Sequence, residues 1–349
     1  MGLIYDEKNL LLTKIDGIMK TFIILILLCT SAIFAQPENL IANVKHQFWG
    51  QVQYVNSQET NIDDSFLIKR FRLGAKGDVL ENLKFAFLFE MAGSPYLMQG
   101  WLDYTFHPML NIRVGQFKYP FGIENYVSAT LWDFVNPSFV TAGITSKLGY
   151  EGGKLRDIGV QLSGQNAFSK EITFKYFLTV MNGNGINTKD NNKNKDFVGR
   201  VVLDFNKTLN FGASYFGGTA NDPNGPARYA ESAFGIDAKY INSIAGRKLK
   251  IQGEYISGIY NSAAGETKPA GFYAYLIYEL LSKQLEAGFR YDSYKKDSGL
   301  DKKQSRMTLG LSYYLAEKQK INFNYELIEN DYYTGGDNLL TMQFQFALQ

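Results

Sequence analysis

From about residue 43 to its end, the chain alternates apolar and polar side chains with a period of two residues. In the run 83–90, Leu83 and Phe85 share one side, whereas Lys84 and Glu90 share the other. Further runs lie at 43–55, 66–77, 98–106, 110–115, 157–162, 172–180, 197–205, 209–215, 232–241, 249–255, 271–280, 285–291, 307–315, 321–327 and 340–348. A two-residue period indicates strands whose two faces meet different environments. We therefore predict an all-β chain of about 16 strands, with no competing helical pattern in this part of the sequence.

The connections between the predicted strands alternate between short and long. Short turns are expected near 78–82, 107–109, 206–208, 281–283 and 316–319, and medium ones near 164–170 and 242–247. Longer polar loops are expected near 56–65, 182–195, 217–230, 260–269, 295–304 and 329–338, the break at 92–97 is short for this set, and 119–155 is the longest connection. Successive hairpins therefore open toward opposite sides, which is typical of barrels with tight turns at one end and long loops at the other.

The two faces of the predicted sheet favour closure within a membrane. One face is rich in Phe, Tyr and Leu, and the other carries charges such as Arg70, Arg72 and Glu254. A soluble sandwich would leave the polar face in water and would keep its sheet edges. A closed ring places the apolar side against lipid and the charged side around water, and it removes every edge. We therefore predict a transmembrane antiparallel β-barrel, and a barrel of this strand number leaves an aqueous lumen.

The N-terminal segment has the pattern of an export signal. A basic start precedes an apolar run that is too short to span a bilayer, and the segment ends in a small residue. We expect residues 19–35 to be a signal peptide, residues 1–18 to come from a misassigned upstream start, and residues 36–349 to form the barrel domain. The only cysteine, Cys29, follows Leu28, which is too large for a lipid-attachment site.

Composition and motifs argue against several other classes of protein. The 36 basic and 34 acidic residues leave a net charge of +2, which gives no support for nucleic-acid binding. With one cysteine and two histidines, His46 and His107, the chain has little material for a Cys- or His-based metal site. No nucleophile elbow or phosphate-binding loop is present in the sequence. We therefore expect no enzymatic activity and no cofactor.

The longest connection, 119–155, is too apolar for a loop exposed to solvent. We expect this third loop to fold into the lumen, where it narrows the channel. An external cap that packs on other loops is the alternative. The candidate constriction residues are Pro120, Phe121, Gly122, Glu124 and Trp132.

The predicted inner face carries only slightly more cations than carboxylates. Most of these charges are expected to pair across strands. Selection of phosphate would need a ring of unpaired Arg or Lys side chains at the constriction. The candidate pore-lining and anion-binding residues are Arg70, Arg72, Lys76, Arg113, Lys118, Arg156, Arg200, Arg290 and Arg306. Among them, Arg72, Arg113, Lys118 and Arg156 flank the third loop or lie on strands near it.

Four segments resemble the phosphate-selective porin O and P family. Residues 112–124 (IRVGQFKYPFGIE) are similar to the family's hallmark, and residues 156–164 (RDIGVQLSG) follow the long loop as they do in the family. Residues 71–77 (FRLGAKG) resemble the second strand of the family, and residues 290–292 (RYD) resemble a late strand. These segments occur in the expected order and span most of the predicted barrel.

The resemblance implies a 16-stranded homotrimeric porin in the outer membrane of a Gram-negative bacterium. Its partners would be outer-membrane lipid and small hydrophilic or anionic solutes that diffuse passively through the lumen. Phosphate-selective members use an arginine ladder and a lysine cluster, and the near-even charge balance here leaves phosphate selectivity open. A closed barrel that serves as a surface receptor, adhesin or scaffold is the alternative, if residues 119–155 plug the lumen completely.

Overall fold

A computed structural model describes residues 42–58, 64–145, 156–190, 193–221, 228–332 and 338–348. Val44–Gln349 forms one compact unit. The predicted upstream start, residues 1–18, and the predicted signal peptide, residues 19–35, lie outside the described residues. In the part of the chain that is described, no helix combines the length and the apolar character needed to cross a membrane.

The described residues form seventeen strands in chain order. The strands are β1 (Ala42–Ser57), β2 (Ser65–Leu80), β3 (Leu83–Glu90), β4 (Tyr96–His107), β5 (Leu110–Lys118), β6 (Arg156–Ala167), β7 (Ile172–Met181), β8 (Asp196–Phe205), β9 (Leu209–Asn221), β10 (Arg228–Ile244), β11 (Arg247–Ser262), β12 (Gly265–Thr267), β13 (Ala270–Leu281), β14 (Leu285–Lys295), β15 (Gln304–Tyr314), β16 (Lys320–Asn330) and β17 (Leu339–Leu348). β12 has only three residues and pairs with the end of β11.

The other sixteen strands form a closed ring. Each pairs with the strands before and after it, with β11 pairing directly with β13. The last strand pairs antiparallel with the first, in a register that places Gln51 opposite Gln345 and Gln53 opposite Gln343. The predicted 16-stranded antiparallel barrel is therefore confirmed, and closure leaves no free sheet edge.

The two faces of the ring differ as the two-residue period predicts. On adjacent strands β4 and β5, Leu102 and Val114 are 46% and 43% exposed and point outward. Their neighbours Asp103 and Arg113 form an ion pair at 2.7 Å on the inner face. The outer surface is thus apolar, and the inner wall carries the charges.

Two of the connections are shorter than the sequence predicts. β6 continues to Ala167 and β10 to Ile244, so both medium-length turns become tight. Between β10 and β11 only Ala245 and Gly246 remain, and both adopt a positive φ, of 52° and 72°. Two successive residues with positive φ form the hairpin turn whose twist matches that of the flanking strands.

The described part of the third loop, residues 119–145, contains three short helical turns that the sequence does not predict. They are α1 (Ile123–Tyr126), a 3₁₀ turn (Ala129–Leu131) and a π-helical turn (Thr141–Thr145). A segment that leaves the sheet loses its ladder hydrogen bonds, and local turns replace some of them.

A dry apolar core joins the third loop to the inner wall. Phe121, Phe134 and Ile144 of the loop belong to one buried cluster with wall residues that include Met181 and Phe216. Part of the barrel interior is therefore filled by packed side chains, and only the rest is available to water and solutes.

Because the outer surface faces lipid, a charged side chain at Val114, the central residue of β5, should destabilise the protein. Replacing Val114 by Arg should lower the free energy of unfolding by about 2–4 kcal/mol, as for an arginine near the bilayer midplane. Equilibrium unfolding in lipid vesicles measures this, with Val114→Leu as the apolar control. Equal stability of the two variants would contradict a lipid-facing position.

Candidate functional site

The third loop is fixed to the wall through its backbone. Gln51 of β1 donates to the carbonyl of Ala129 at 3.4 Å, and Gln345 of β17 donates to that of Thr130 at 3.1 Å. Lys320 of β16 donates to the carbonyl of Trp132 at 2.7 Å. Three strands of the ring therefore hold one short stretch of the loop.

The start of the loop contacts the wall on other strands. The N–H of Gly122 donates to Ser214 Oγ on β9 at 3.1 Å. The carboxylate of Glu254 on β11 accepts from the N–H groups of Ile123 and Glu124 at 3.1 and 3.3 Å. Gly122 has a φ of 72°, and a Cβ there would lie 2.2 Å from Glu254 Oε1, so this position requires glycine. Contacts with β9, β11, β16, β17 and β1 place the segment inside the ring.

An ion pair holds the middle of the loop. Asp133 Oδ2 accepts from Lys250 Nζ at 2.6 Å and from the Tyr275 hydroxyl at 2.5 Å. Burial alone raises the pKa of the Asp133 carboxyl, but the Lys250 charge and these two hydrogen bonds outweigh burial and bring the pKa below its ordinary value. Asp133 therefore stays ionised and compensates Lys250.

Arg290 and Arg306 lie in a buried network of charges beside the loop. Arg306 lies 3.0 Å from both Asp292 and Glu326, and Arg290 lies 3.1 Å from Asp292. The guanidinium of Arg290 also lies 3.7 Å from Glu124. The two arginines donate further to loop carbonyls, at Asn136 and Pro137 respectively. These two candidates are compensated by carboxylates and anchor the loop.

Two other candidates also pair with carboxylates across strands. Arg200 binds Asp237 through two hydrogen bonds of 2.6 and 3.0 Å. Arg113, paired with Asp103, has its guanidinium 4.1 Å from the centre of the Trp101 ring. Both arrangements are the cross-strand pairs that the sequence analysis expects for most inward charges.

Four of the five remaining candidates meet at a cavity of about 310 Å³, which we call the basic cavity. Its charged lining residues are Arg72, Lys76, Lys118, Arg156 and Lys318. None of the described residues that line it is an aspartate or a glutamate. The sequence analysis predicts the first four as pore-lining candidates but not Lys318. Lys318 lies in a predicted short turn, where no pattern indicates that its side chain reaches the lumen.

Two of these basic residues have defined partners. Arg72 forms an ion pair with Glu90 at 2.7 Å and stacks on Trp49 with 4.6 Å to the ring centre. Lys118 donates to the carbonyls of Asn125 and Val127, each at 2.7 Å. These carbonyls are neutral, so they orient the amino group of Lys118 without adding a negative charge to the lining.

Arg70 lies at the edge of this group. It donates to Gln51 Oε1 at 2.6 Å, and its guanidinium lies 5.0 Å from the centre of the Trp132 ring. Trp132 in turn donates from its indole N–H to the carbonyl of Glu124 at 3.1 Å. The other four constriction candidates, Pro120, Phe121, Gly122 and Glu124, are all buried.

A larger cavity of about 1210 Å³, which we call the mixed cavity, borders the same loop stretch and shares Thr130, Leu131 and Lys318 with the basic cavity. Both signs of charge line it, namely Lys239, Lys248, Lys250, Lys283, Lys318, Lys320, Glu124, Asp133, Glu279, Glu286 and Glu317. Residues 282–284 and 315–318 of two short turns belong to its lining, so it opens toward the short-turn end of the barrel. No group of described His, Cys, Asp and Glu residues is arranged to hold a metal ion.

A closed ring with an apolar outer surface, a charged inner wall and an infolded loop defines a transmembrane channel of the porin class. The family described as phosphate-selective porin O and P matches residues 42–225 and 206–348, and the chain belongs to this family. It is therefore an outer-membrane porin of a Gram-negative bacterium. A comparison with curated proteins gives no significant match.

Solved structures of other porins share the fold. The anion-selective porin from Comamonas acidovorans has a TM-score of 0.65 and 16% identity over 87% of this chain and 99% of its own. The in-vitro folded trimer form of OmpT from Vibrio cholerae has a TM-score of 0.64 and 15% identity over 87% and 99%. OprB from Pseudomonas putida has a TM-score of 0.64 and 12% identity over 88% and 93%.

The buried network at Arg290 gives a sharp stability contrast. Replacing Arg290 by Met should cost about 3–5 kcal/mol, because Asp292, Glu326 and Glu124 would remain buried together without it. Replacing Lys175 by Gln should cost less than about 1 kcal/mol, since its pair with Asp204 is partly exposed. Equilibrium unfolding in vesicles measures both, and similar costs would contradict the anchoring role of Arg290.

Proposed function

We propose that this porin conducts small hydrophilic solutes passively and prefers anions. The observation that carries the proposal is the basic cavity, whose described lining contains five cations and no carboxylate. The family's description as phosphate-selective and the name of the anion-selective porin from Comamonas acidovorans support the same direction. Diffusion through the lumen needs no cofactor, and we expect no catalytic activity.

Selectivity follows from how charge is distributed along the lumen. Arg113, Arg200 and Arg306 face carboxylates, so they add little net field where they lie. We propose that the selective field lies at the basic cavity beside the third loop, whose described lining has five basic residues and no carboxylate. A positive potential in a narrow, partly desolvated passage attracts anions and repels cations. This mechanism would attract oxyanions in general, including phosphate.

The reversal potential across a salt gradient tests the proposal directly. In planar bilayers, the reversal potential of the wild-type channel should have the sign expected for an anion-selective pore. Arg156→Gln and Lys76→Gln should each shift the potential toward the cation-selective side, because each removes one positive charge from the basic cavity.

Lys207→Gln is the matched control, since Lys207 is exposed in the β8–β9 turn. It removes the same charge outside the basic cavity and should leave the potential near that of the wild type. A cation-selective wild type would overturn the anion preference and leave the porin intact. A folded protein without any conductance would favour the closed-barrel alternative.

We also propose that the porin assembles as a homotrimer. The trimer form of the structurally similar OmpT from Vibrio cholerae supports this assembly, as does family membership. Native mass spectrometry of the detergent-extracted protein should give three times the monomer mass. A monomer as the main species would argue against the proposal.

A further inference from the structure

Leu131 lies at the border between two cavities of different charge. It lines both the basic cavity and the mixed cavity, and among the described lining residues only Thr130 and Lys318 share this position. Its side chain is 58% exposed although the segment that carries it lies inside the barrel. An apolar side chain in a charged lumen gives up the free energy of burial.

The backbone around Leu131 is held in place on both sides. Gln345 binds the carbonyl of Thr130 and Lys320 binds that of Trp132, at 3.1 and 2.7 Å. The N–H of Leu131 donates to the carbonyl of Ser128 at 2.9 Å. Leu131 therefore projects from a fixed backbone segment, residues 130–132, at the border between the two cavities.

We propose that Leu131 is a specificity-determining residue of the channel, because its side chain partitions the basic cavity from the mixed cavity. The inference rests on the proposed anion preference and names the residue that preserves it. Asp133, Glu286 and other carboxylates line only the mixed cavity. An apolar group at the border keeps these carboxylates apart from the basic cavity, so they compensate its positive charge less than an open or polar border would allow.

Two substitutions at Leu131 should act in opposite directions on conductance. Leu131→Ala opens the border, so single-channel conductance in planar bilayers should rise by about 1.5-fold or more, and the reversal potential should move toward zero. Leu131→Phe narrows the border, so conductance should fall while anion preference is kept. Because Leu131 is exposed, neither change should impair folding, which circular dichroism and thermal unfolding in detergent would verify.

Leu309→Ala is the matched control. Leu309 is 55% exposed on the outward face of β15, so it has similar exposure but no contact with the lumen. Its truncation should leave conductance and reversal potential as in the wild type. The proposal is overturned if Leu131→Ala matches the Leu309→Ala variant in both readouts, or if both Leu131 variants change conductance in the same direction.

The wild-type reversal potential separates this inference from the proposed function. A wild type without anion preference would overturn the proposed function and the selectivity role of Leu131 together. Unchanged conductance in both Leu131 variants, in a channel that does prefer anions, would overturn the partition alone.

Discussion

The whole architecture depends on the need to satisfy backbone hydrogen bonds where no water is present. A strand that faces hydrocarbon cannot leave N–H and C=O groups unpaired, so the sheet must close on itself. The register between β1 and β17, with Gln51 opposite Gln345, provides that closure here. Once the ring is closed, alternate side chains must face lipid and lumen, which explains why a simple two-residue period runs through most of the sequence.

Closure of a ring of sixteen strands creates an interior that its wall side chains alone do not fill. The third loop occupies part of that space, and it does so with two kinds of contact. Phe121, Phe134 and Ile144 bury apolar surface against inward apolar residues of the wall. Glu254 binds backbone N–H groups of the loop, while Lys320 binds a backbone carbonyl. Apolar packing thus holds one part of the loop, and hydrogen bonds fix residues 130–132, which border the two cavities.

The sequence predicts the barrel well because the strand pattern is local. The alternation within each run, from 43–55 to 340–348, reflects the two environments of that strand, and the strand count follows by counting the runs. The site is harder, since it depends on which charges meet across the lumen. Arg72 and Arg113 both pair with a carboxylate of a neighbouring strand, but only Arg72 lines the basic cavity, and nothing in their sequence positions separates these outcomes. Lys318 lacks even an alternating pattern, because it lies in a turn.

The ion pairs between basic side chains and carboxylates, more than the total charge of the chain, determine where the inner wall can act on a passing ion. The chain as a whole has a net charge of only +2, and its most deeply buried arginine, Arg290, is surrounded by carboxylates. Burying a charge without compensation is costly, so the core of the barrel has to be close to neutral. At the basic cavity, Lys76 is exposed, so water can solvate its charge. Stability and the proposed anion preference therefore depend on different parts of the inner wall. Carboxylates neutralise the buried arginines beside the apolar core, whereas the proposed selective field lies at the basic cavity.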